Sequence, residues 1–283
     1  MKPWAVEMLG MYKRFGAVRA NDGVDLRVAA GAIHAVVGEN GAGKRTIMSI
    51  LYGFYSADAG DIRIDGKPVR IRSAQDAIAQ GIGMVHQHFM LVDTFTALEN
   101  VVLGAESHAM LSRTEPLARK RLHELMDATG LHVDLDVLSA DLPVGDRQRL
   151  EILKALFRGA RILILDEPTA VLTPQEIHQL FDVLRRLREQ GTTVIIITHK
   201  LKEVMSLCDD VTVMRAGQVV LETRVTETSI DALAQAMVGR SVHLGAQAGQ
   251  TPPQQGERVM DARGLRVKDS LGVERLKGWL QQN

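Results

Sequence analysis

Apolar and polar residues alternate along the start of the chain, as in strands that bury only one face. The alternation covers 6–8 and 24–28 and predicts strands of an antiparallel sheet. A mainly apolar run at 32–37 predicts a short buried strand, and the apolar stretch at 46–51 predicts a helix. Asp65-Gly66 separates two further alternating segments, so we expect a β-hairpin there.

The middle of the chain changes to a helical spacing of apolar residues. A short helix is predicted at 74–80 and a short strand at 82–85. Residues 88–159 then follow a mainly helical pattern and are predicted to form a helical insertion. Its clearest helical segments are 100–103, 117–129 and 148–157.

Strand and helix patterns alternate again after residue 160. The helix predicted at 174–190 places its apolar residues on one face. The other predicted elements are strands at 161–165, 193–197, 211–214 and 219–221, and a helix that runs through Cys208. This alternation predicts an α/β fold, with helices on both faces of a sheet.

Composition and charge exclude some classes of protein. The 283 residues allow more than one domain, and 34 basic residues balance 34 acidic ones, so no net charge attracts the chain to nucleic acid. Its longest apolar runs are far shorter than the ~20 residues that span a bilayer. The first ten residues lack the apolar core of a signal peptide. A single cysteine, Cys208, fits a reducing cytoplasm.

The strongest chemical signal is a glycine-rich stretch between a predicted strand and a predicted helix. It consists of Gly38, Glu39, Asn40, Gly41, Ala42, Gly43, Lys44, Arg45 and Thr46. Glycines let backbone N–H groups turn toward phosphates, the following helix offers its positive end, and Lys44 can reach the β and γ phosphates. A plain glycine-rich turn is the alternative, but the flanking strand and helix favour a nucleotide phosphate site.

Arg45 departs from the phosphate-loop pattern, which asks for serine or threonine directly after the lysine. That hydroxyl ligates Mg²⁺, whereas arginine has five donors and no acceptor. Thr46 is no substitute, because one step along a helix turns the side chain by ~100°. The stretch therefore predicts nucleotide binding and leaves hydrolysis open.

A second signal is an apolar strand that ends in the acidic pair Asp166 and Glu167. Phosphoryl transfer needs a metal-holding acid beside a water-orienting acid, so we assign Asp166 to Mg²⁺ and Glu167 to the attacking water. Gln87 and His199 follow other predicted strands and are expected at the same edge of the sheet. Gln87 is the second expected Mg²⁺ ligand. A polar strand end is the alternative for His199.

Five motifs occur in the order and spacing of the ATPase subunit of ABC transporters. They are GENGAGKRT, the glutamine of MVHQHF, LPVGDRQRLEI, LILDEPTAVLT and ITHK, and the match covers about 6–240. GIGMVHQHFMLVDTFTALENVVLG and DEPTAVLTPQE further resemble the tandem-cassette ATPases of simple-sugar and nucleoside importers. The resemblance implies a P-loop NTPase cassette, with a RecA-like mixed sheet, an antiparallel β subdomain and a helical insertion at about 88–159.

The same resemblance implies roles for individual residues. Gln87 matches the Q-loop glutamine, Asp166 the Walker B acid, Glu167 the catalytic glutamate and His199 the switch histidine. Phe15, in KRFG, resembles the aromatic on which adenine stacks. A core aromatic is the equally weighted alternative for Phe15.

In this family two cassettes pair head to tail, and each ATP lies between the phosphate loop of one and the signature motif of the other. The resemblance implies ATP and Mg²⁺ as cofactors and transmembrane permease subunits as partners, with a substrate-binding protein involved indirectly and no nucleic acid. We therefore expect a cytoplasmic ATPase subunit at the inner face of the membrane. A vestigial cassette that binds ATP without cleaving it is the alternative, and a role in ribosomes or DNA repair is disfavoured by the neutral charge.

The signature motif departs from the family pattern Leu-Ser-x-Gly. Leu142 is followed by Pro143, Val144, Gly145 and Asp146. Proline is tolerated at a helix start but offers neither a hydroxyl nor an N–H to a γ phosphate. Arg147 also stands where the family usually has glutamine. With Arg45, these departures predict an impaired motor.

The end of the chain predicts a second unit. Residues 241–257 are polar and proline-containing, as in a linker, and 258–283 faintly repeat the opening segment. We expect one ATP-binding domain at 1–240 and the start of a second cassette at 258–283. Three interpretations of this end of the chain are possible: the chain is a truncated tandem ATPase, the second half lies on another chain, or 258–283 is a small accessory tail.

Overall fold

Two sheets of different construction form the framework of the part of the chain that the computed structural model describes, residues 3–104 and 111–239. These residues belong to a unit that spans Met1–His243. The linker and second cassette predicted at 241–257 and 258–283 lie outside the described residues.

The strands, in chain order, are β1 (Trp4–Phe15), β2 (Val18–Ala29), β3 (Ile33–Val37), β4 (Ala59–Ile64), β5 (Lys67–Val69), β6 (Ile82–Val85), β7 (Ile162–Asp166), β8 (Thr193–Thr198), β9 (Asp210–Arg215) and β10 (Gln218–Arg224). The helices are α1 (Lys44–Leu51), α2 (Ala74–Ala79), α3 (Ala97–Val102), α4 (Leu111–Thr129), α5 (Val144–Phe157), α6 (Pro174–Glu189), α7 (Leu201–Leu207) and α8 (Ile230–Val238).

The smaller sheet is antiparallel, with the strand order β2-β1-β4-β5. Its alternating apolar residues are buried, as their spacing predicts: Val6 and Met8 of β1 have no exposed surface. The predicted hairpin joins β4 to β5 through Asp65 and Gly66, whose φ angles are +50° and +74°. Two positive φ angles in succession match the right-handed twist of the strands, and Asp-Gly is a favoured sequence for them.

The larger sheet has six strands in the order β10-β9-β3-β8-β7-β6. All neighbours are parallel except β10 and β9. The carboxyl ends of β3, β6, β7 and β8 therefore meet at one edge, and in open parallel sheets this is the edge where ligands bind. The phosphate loop, Gln87, Glu167 and His199 all follow these strands.

Both faces of the larger sheet are covered, which confirms the predicted α/β fold class. In β7, Leu163 and Leu165 pack with α3 to α6, whereas Ile162 and Ile164 pack with α1, α2 and the antiparallel sheet. Alternate residues of a strand point to opposite faces, so burial on both faces explains why residues 162–165 are all apolar. Near β9, α7 and α8 enclose a third cluster.

Several predicted boundaries were wrong. Helix α3 begins three residues earlier than predicted, because Thr96 and Glu99 form a reciprocal capping box at its start. Helix α4 begins at Leu111 although Pro116 lies inside it, and α7 ends at Leu207, just before Cys208. Helix α8 was not predicted. Among the described residues, no helix is both long and apolar enough to cross a bilayer.

Candidate functional site

The predicted phosphate loop joins β3 to α1 and turns on a glycine that has no room for a side chain. Gly43 has a φ of +97° and caps the start of α1. A Cβ atom at this position would lie 2.3 Å from the carbonyl oxygen of Ala20. The Asn21 side-chain amide donates to the Gly43 carbonyl at 3.2 Å. The loop is therefore fixed against β2, and only glycine fits there.

The outer part of the loop is open to solvent. Glu39, Asn40 and Gly41 are exposed, and a Cβ atom built at Gly41 would meet no atom within 4 Å, although its φ is +84°. The Ala42 N–H donates to the Glu39 carbonyl at 3.1 Å. This arrangement leaves the outer loop accessible beside the N-terminus of α1, where backbone N–H groups attract an anion.

Lys44 lies buried at the start of α1 with its ammonium folded over the loop. Its Nζ donates to the Gly38 carbonyl at 2.7 Å and to the Glu39 carbonyl at 3.0 Å. Burial lowers the pKa of Lys44, Glu167 opposes that effect, and the neighbouring Arg45 lowers the pKa further. The backbone thus holds a cation in place at the point where a phosphate is expected.

Arg45 connects the phosphate loop to two distant strand ends. Its Nε atom lies 2.8 Å from Oδ2 of Asp166 and 3.2 Å from Oδ1. Its Nη2 donates to Oε1 of Gln87. The Asp166 side chain is 8% exposed and that of Arg45 58% exposed, so the guanidinium reaches in from the surface to a buried carboxylate. The structure thus brings together the two residues predicted to hold Mg²⁺, around an arginine.

These residues do not fit a magnesium ion. Magnesium binds oxygen ligands, and Arg45 supplies none. The carboxylate of Asp166 and the amide oxygen of Gln87 both already accept hydrogen bonds from Arg45. Within the ranges 3–104 and 111–239, no cluster of three or more histidine, cysteine, aspartate or glutamate side chains could hold a metal.

Glu167 follows β7 directly and adopts an unusual backbone conformation. Its φ is +49°, in the left-handed region that non-glycine residues seldom occupy, and its N–H donates to the Ile197 carbonyl at 2.9 Å. Such strain persists where the surrounding structure enforces it, and it is concentrated at functional sites. The side chain lies at the sheet edge beside His199.

Glu167 and His199 form a directly bonded pair. Oε1 of Glu167 lies 2.8 Å from Nδ1 of His199, and since a carboxylate only accepts, the imidazole donates. The other carboxylate oxygen, Oε2, is buried and has no hydrogen-bond partner among the residues that the structure describes. The Glu167 side chain is 8% exposed and that of His199 57%. One acceptor atom of the acid is thus left for a further donor.

A second network, which the sequence did not reveal, fixes the segments that carry this pair. The Thr169 hydroxyl donates to Oε2 of Glu203 at 2.6 Å. The Lys200 ammonium donates to the Thr169 carbonyl at 3.0 Å and lies 3.3 Å from Oε1 of Glu203. Thr169 and Lys200 are the last residues of the DEPT and ITHK motifs. The motifs contain these two residues but did not predict the contacts between them. They join the segment after β7 to that after β8.

Phe15 lies at the end of β1 and is not part of the core. Its side chain is 42% exposed, it meets Tyr55 edge to face with ring centroids 5.1 Å apart, and the Lys13 ammonium lies 5.4 Å from its ring. The core alternative for Phe15 is therefore excluded. Stacking on adenine stays a prediction.

The segment predicted as the signature motif begins α5, away from the phosphate loop. Pro143 is the N-cap residue, without a capping side chain, and Val144 is 41% exposed. A Cβ atom at Gly145 would lie 2.4 Å from Oε1 of Glu176, and Asp146 pairs with Arg149 at 2.6 Å. Among the described residues, no hydrogen bond joins 143–146 to 38–46.

The mixed sheet, the loop with its lysine and the acidic pair at the strand ends define a P-loop nucleotide-binding cassette, with an antiparallel subdomain and a helical segment. The chain belongs to the ABC transporter family, whose family model matches residues 21–170. Both the family and the fold class predicted from the sequence are confirmed.

Curated relatives with similar sequences carry the names of import proteins. The chain is 44% identical over 273 residues to the nucleoside import ATP-binding protein NupA of Lactococcus lactis subsp. cremoris, covering 96% of this chain and 54% of that protein. It is 46% identical to the guanosine import ATP-binding protein NupO of Bacillus subtilis, covering 97% and 53%. It is 44% identical to the glucose import ATP-binding protein TsgD13 of Haloferax volcanii, covering 96% and 54%. The chain spans about half the length of these relatives.

Solved structures with the same fold are ATP-binding cassettes. The chain resembles cbiO1 of Clostridium perfringens, described as part of the ABC transporter complex cbiONQ, with a TM-score of 0.71 and 28% identity over 80% of this chain and 90% of that one. It also resembles the cassette MJ0796 in a dimeric post-hydrolysis state bound to ADP and Pi, with a TM-score of 0.66 and 25% identity over 78% and 98%.

Proposed function

We propose that this chain is the ATP-binding and ATP-hydrolysing part of an ABC importer for a nucleoside or a simple sugar. One observation carries the proposal: the Lys44 loop and the Glu167–His199 pair lie at the same edge of one sheet. The names of the relatives support the class of solute. The activity also agrees with family membership, because the cassette is the ATP-using part of such transporters.

In the proposed reaction, the loop binds the phosphates of ATP through its backbone N–H groups and the N-terminus of α1. Lys44 then exchanges the carbonyls of Gly38 and Glu39 for phosphate oxygens, which are stronger acceptors because they are charged. Phe15, which is exposed at the end of β1, stacks on the adenine ring. These contacts hold the nucleotide against the edge where the acidic pair lies.

Glu167 and His199 act on the attacking water. The free Oε2 of Glu167 accepts a hydrogen bond from that water. His199 donates to Oε1 and so fixes the orientation of the carboxylate. Positioning of this kind supplies much of the rate in phosphoryl transfer.

A second cassette completes the site in this proposal. Pro143 and Val144 are exposed at the start of α5, so this end of the segment is accessible to the nucleotide of another cassette. A solved relative of the same fold is a dimer with ADP and Pi. In this proposal the second cassette is either a copy of this chain or a unit that begins at 258–283.

We further propose that a transmembrane permease docks beside the helical segment 88–159 and holds the cassette at the inner face of the membrane. A cleft of about 270 Å³ lies next to this segment. Large apolar side chains are exposed at the cleft, namely Phe54 and Met90 at 48% and 60%. Lys154 and Arg158 line it as well, so apolar and acidic groups of a permease both find partners there.

The proposal is tested by ATP hydrolysis in vitro and by solute uptake in cells. We expect the purified chain, together with its permease, to release phosphate from ATP, and Lys44→Ala to slow that release by roughly 10²-fold, because a charge aimed at the reacting phosphates is lost. Lys202→Ala, on the exposed face of α7, is the matched control. Phosphate release that Lys44→Ala leaves unchanged contradicts the proposed site.

Uptake identifies the class of solute. Cells that lack the chain should lose uptake of labelled nucleosides or of simple sugars, and regain it with the wild-type chain but not with Lys44→Ala. Normal uptake of both classes of solute in cells that lack the chain would contradict the import role. It would not contradict the proposed binding of nucleotide.

A further inference from the structure

The reaction proposed above assigns no role to Arg45. Its guanidinium bridges Asp166 and Gln87, the two side chains that the sequence assigns to the metal. Arginine stays protonated in proteins, so the site contains a permanent cation where the sequence predicts a divalent one. The bridge joins α1 to residues 42 and 121 positions away.

We propose that Arg45 replaces the divalent cation in this nucleotide site. The chain then binds each nucleotide, ATP or ADP, with the same affinity whether Mg²⁺ is present or absent. The inference rests on the proposed nucleotide site and goes beyond it by naming the cation that the phosphates meet. It concerns the binding of nucleotide and not the rate of its cleavage.

The charges of the site support this assignment. Two cations, Lys44 and Arg45, face two carboxylates, Asp166 and Glu167, and these four groups together have a formal charge of zero. Without Arg45, one cation would face two carboxylates, and the three remaining groups would carry one net negative charge. A negatively charged site repels a polyphosphate unless a metal ion neutralises it. With Arg45 present, that repulsion is already offset.

The donors of Arg45 also suit a phosphate. Its Nε bonds Asp166 and its Nη2 bonds Gln87, while Nη1 makes no hydrogen bond within the described part of the chain. The side chain is 58% exposed, so the remaining N–H groups are accessible from solvent. A planar guanidinium matches phosphate oxygens in geometry and forms charge-assisted hydrogen bonds with them.

Asp166 holds the guanidinium in place before any nucleotide arrives. The carboxylate is only 8% exposed, and it accepts from Nε of Arg45. A charge that is already oriented loses less conformational entropy on binding than a free arginine side chain would. The acid that is expected to bind the metal therefore serves here to position a side-chain cation.

The test compares nucleotide affinity with and without magnesium. Calorimetric titration of the full chain with ADP, and separately with ATP, is performed in EDTA and in Mg²⁺. For the wild type we expect dissociation constants that differ by less than about twofold between the two buffers, because Arg45 already supplies a permanent positive charge beside the phosphates. Arg45→Ser should bind at least about tenfold more weakly than wild type in EDTA and recover in Mg²⁺, because it loses a charge-assisted contact and gains a hydroxyl ligand.

Arg72→Ser is the matched control. Arg72 is exposed, and this substitution removes the same charge as Arg45→Ser but outside the site. It should behave as the wild type in both buffers. The wild-type comparison needs no variant, so the inference stays testable even if Arg45→Ser is unstable. Thermal unfolding of each variant is measured alongside.

The other results of these titrations distinguish failure of the role of Arg45 from failure of the nucleotide site. Wild-type binding that requires Mg²⁺ overturns the role of Arg45 and leaves the nucleotide site standing. Tighter binding of ADP by Arg45→Ser in EDTA also overturns it, since Arg45 would then block the site. If the wild type binds neither nucleotide in either buffer, the proposed function itself fails.

Discussion

Replacing Gly43 with alanine adds a methyl group where the loop has no space. Its Cβ would lie 2.3 Å from the carbonyl oxygen of Ala20 and 2.8 Å from Nδ2 of Asn21. Both neighbours belong to β2, which is fixed in the antiparallel sheet, so they have little freedom to move. The residue would also keep a φ of +97°, which L side chains rarely adopt.

Both effects destabilise the native state. A non-glycine residue in a sparsely populated backbone region costs about 1–3 kcal/mol, and forcing an extra carbon into a packed site costs about 1–3 kcal/mol. We expect a total loss of about 3 kcal/mol, which corresponds to a fall in Tm of roughly 6–12 °C at 2–4 °C per kcal/mol for a domain of this size.

Gly41→Ala separates the two effects. Gly41 also has a positive φ, +84°, but its Cβ would meet no atom within 4 Å. This variant bears only the backbone strain, so we expect a loss of about 1 kcal/mol and a fall in Tm of about 2–4 °C. Thermal unfolding by calorimetry measures both variants. If Gly43→Ala and Gly41→Ala lower Tm equally, the close packing of Gly43 against β2 is not what fixes the loop.

Two further predictions concern Glu167 and His34. Glu167→Gln should slow phosphate release by roughly 10²- to 10⁴-fold, because the amide is a poor acceptor for the water's proton, and leave ATP affinity nearly unchanged. Glu189→Gln, exposed at the end of α6, is its control, and equal slowing by both variants would refute the assignment. His34 is buried with Nε2 2.8 Å from the Thr212 hydroxyl, and burial lowers its pKa from 6.5 to about 4. The unfolded chain therefore binds this proton first as the pH falls, and the free energy of unfolding should drop by about 3 kcal/mol between pH 6.5 and pH 4. In urea titrations across that range, His34→Gln should show a smaller drop, and an equal drop in both proteins would contradict the assignment.

The sequence predicted the elements of this fold wherever one local pattern was sufficient. Residues 162–165 of β7 are all apolar because both faces of the sheet are covered, and Asp65-Gly66 adopts the two positive φ angles of a hairpin. Helix α8 escaped prediction although Ser229 caps it and Gly239 ends it. Its start and stop signals were present, but no motif drew attention to a short helix there.

The contacts of the candidate site depend on positions far apart in the chain. The motifs named Arg45, Asp166 and Gln87 separately, and the sequence treated Arg45 as the loss of a metal ligand. Only the folded sheet shows the guanidinium against both other side chains. Likewise, exposure of Phe15 follows from its place at the end of a hairpin, which a local pattern of apolar residues does not specify.

The proposed function depends most directly on the binding of a nucleotide by the loop that holds Lys44. Calorimetric titration of the folded chain with ATP should give saturable binding, weakened at least about tenfold by Lys44→Ala, because a buried ammonium beside the phosphates is lost, and unchanged by Lys202→Ala. Absence of ATP binding by the wild-type chain, or equal affinity of wild type and Lys44→Ala, would contradict it.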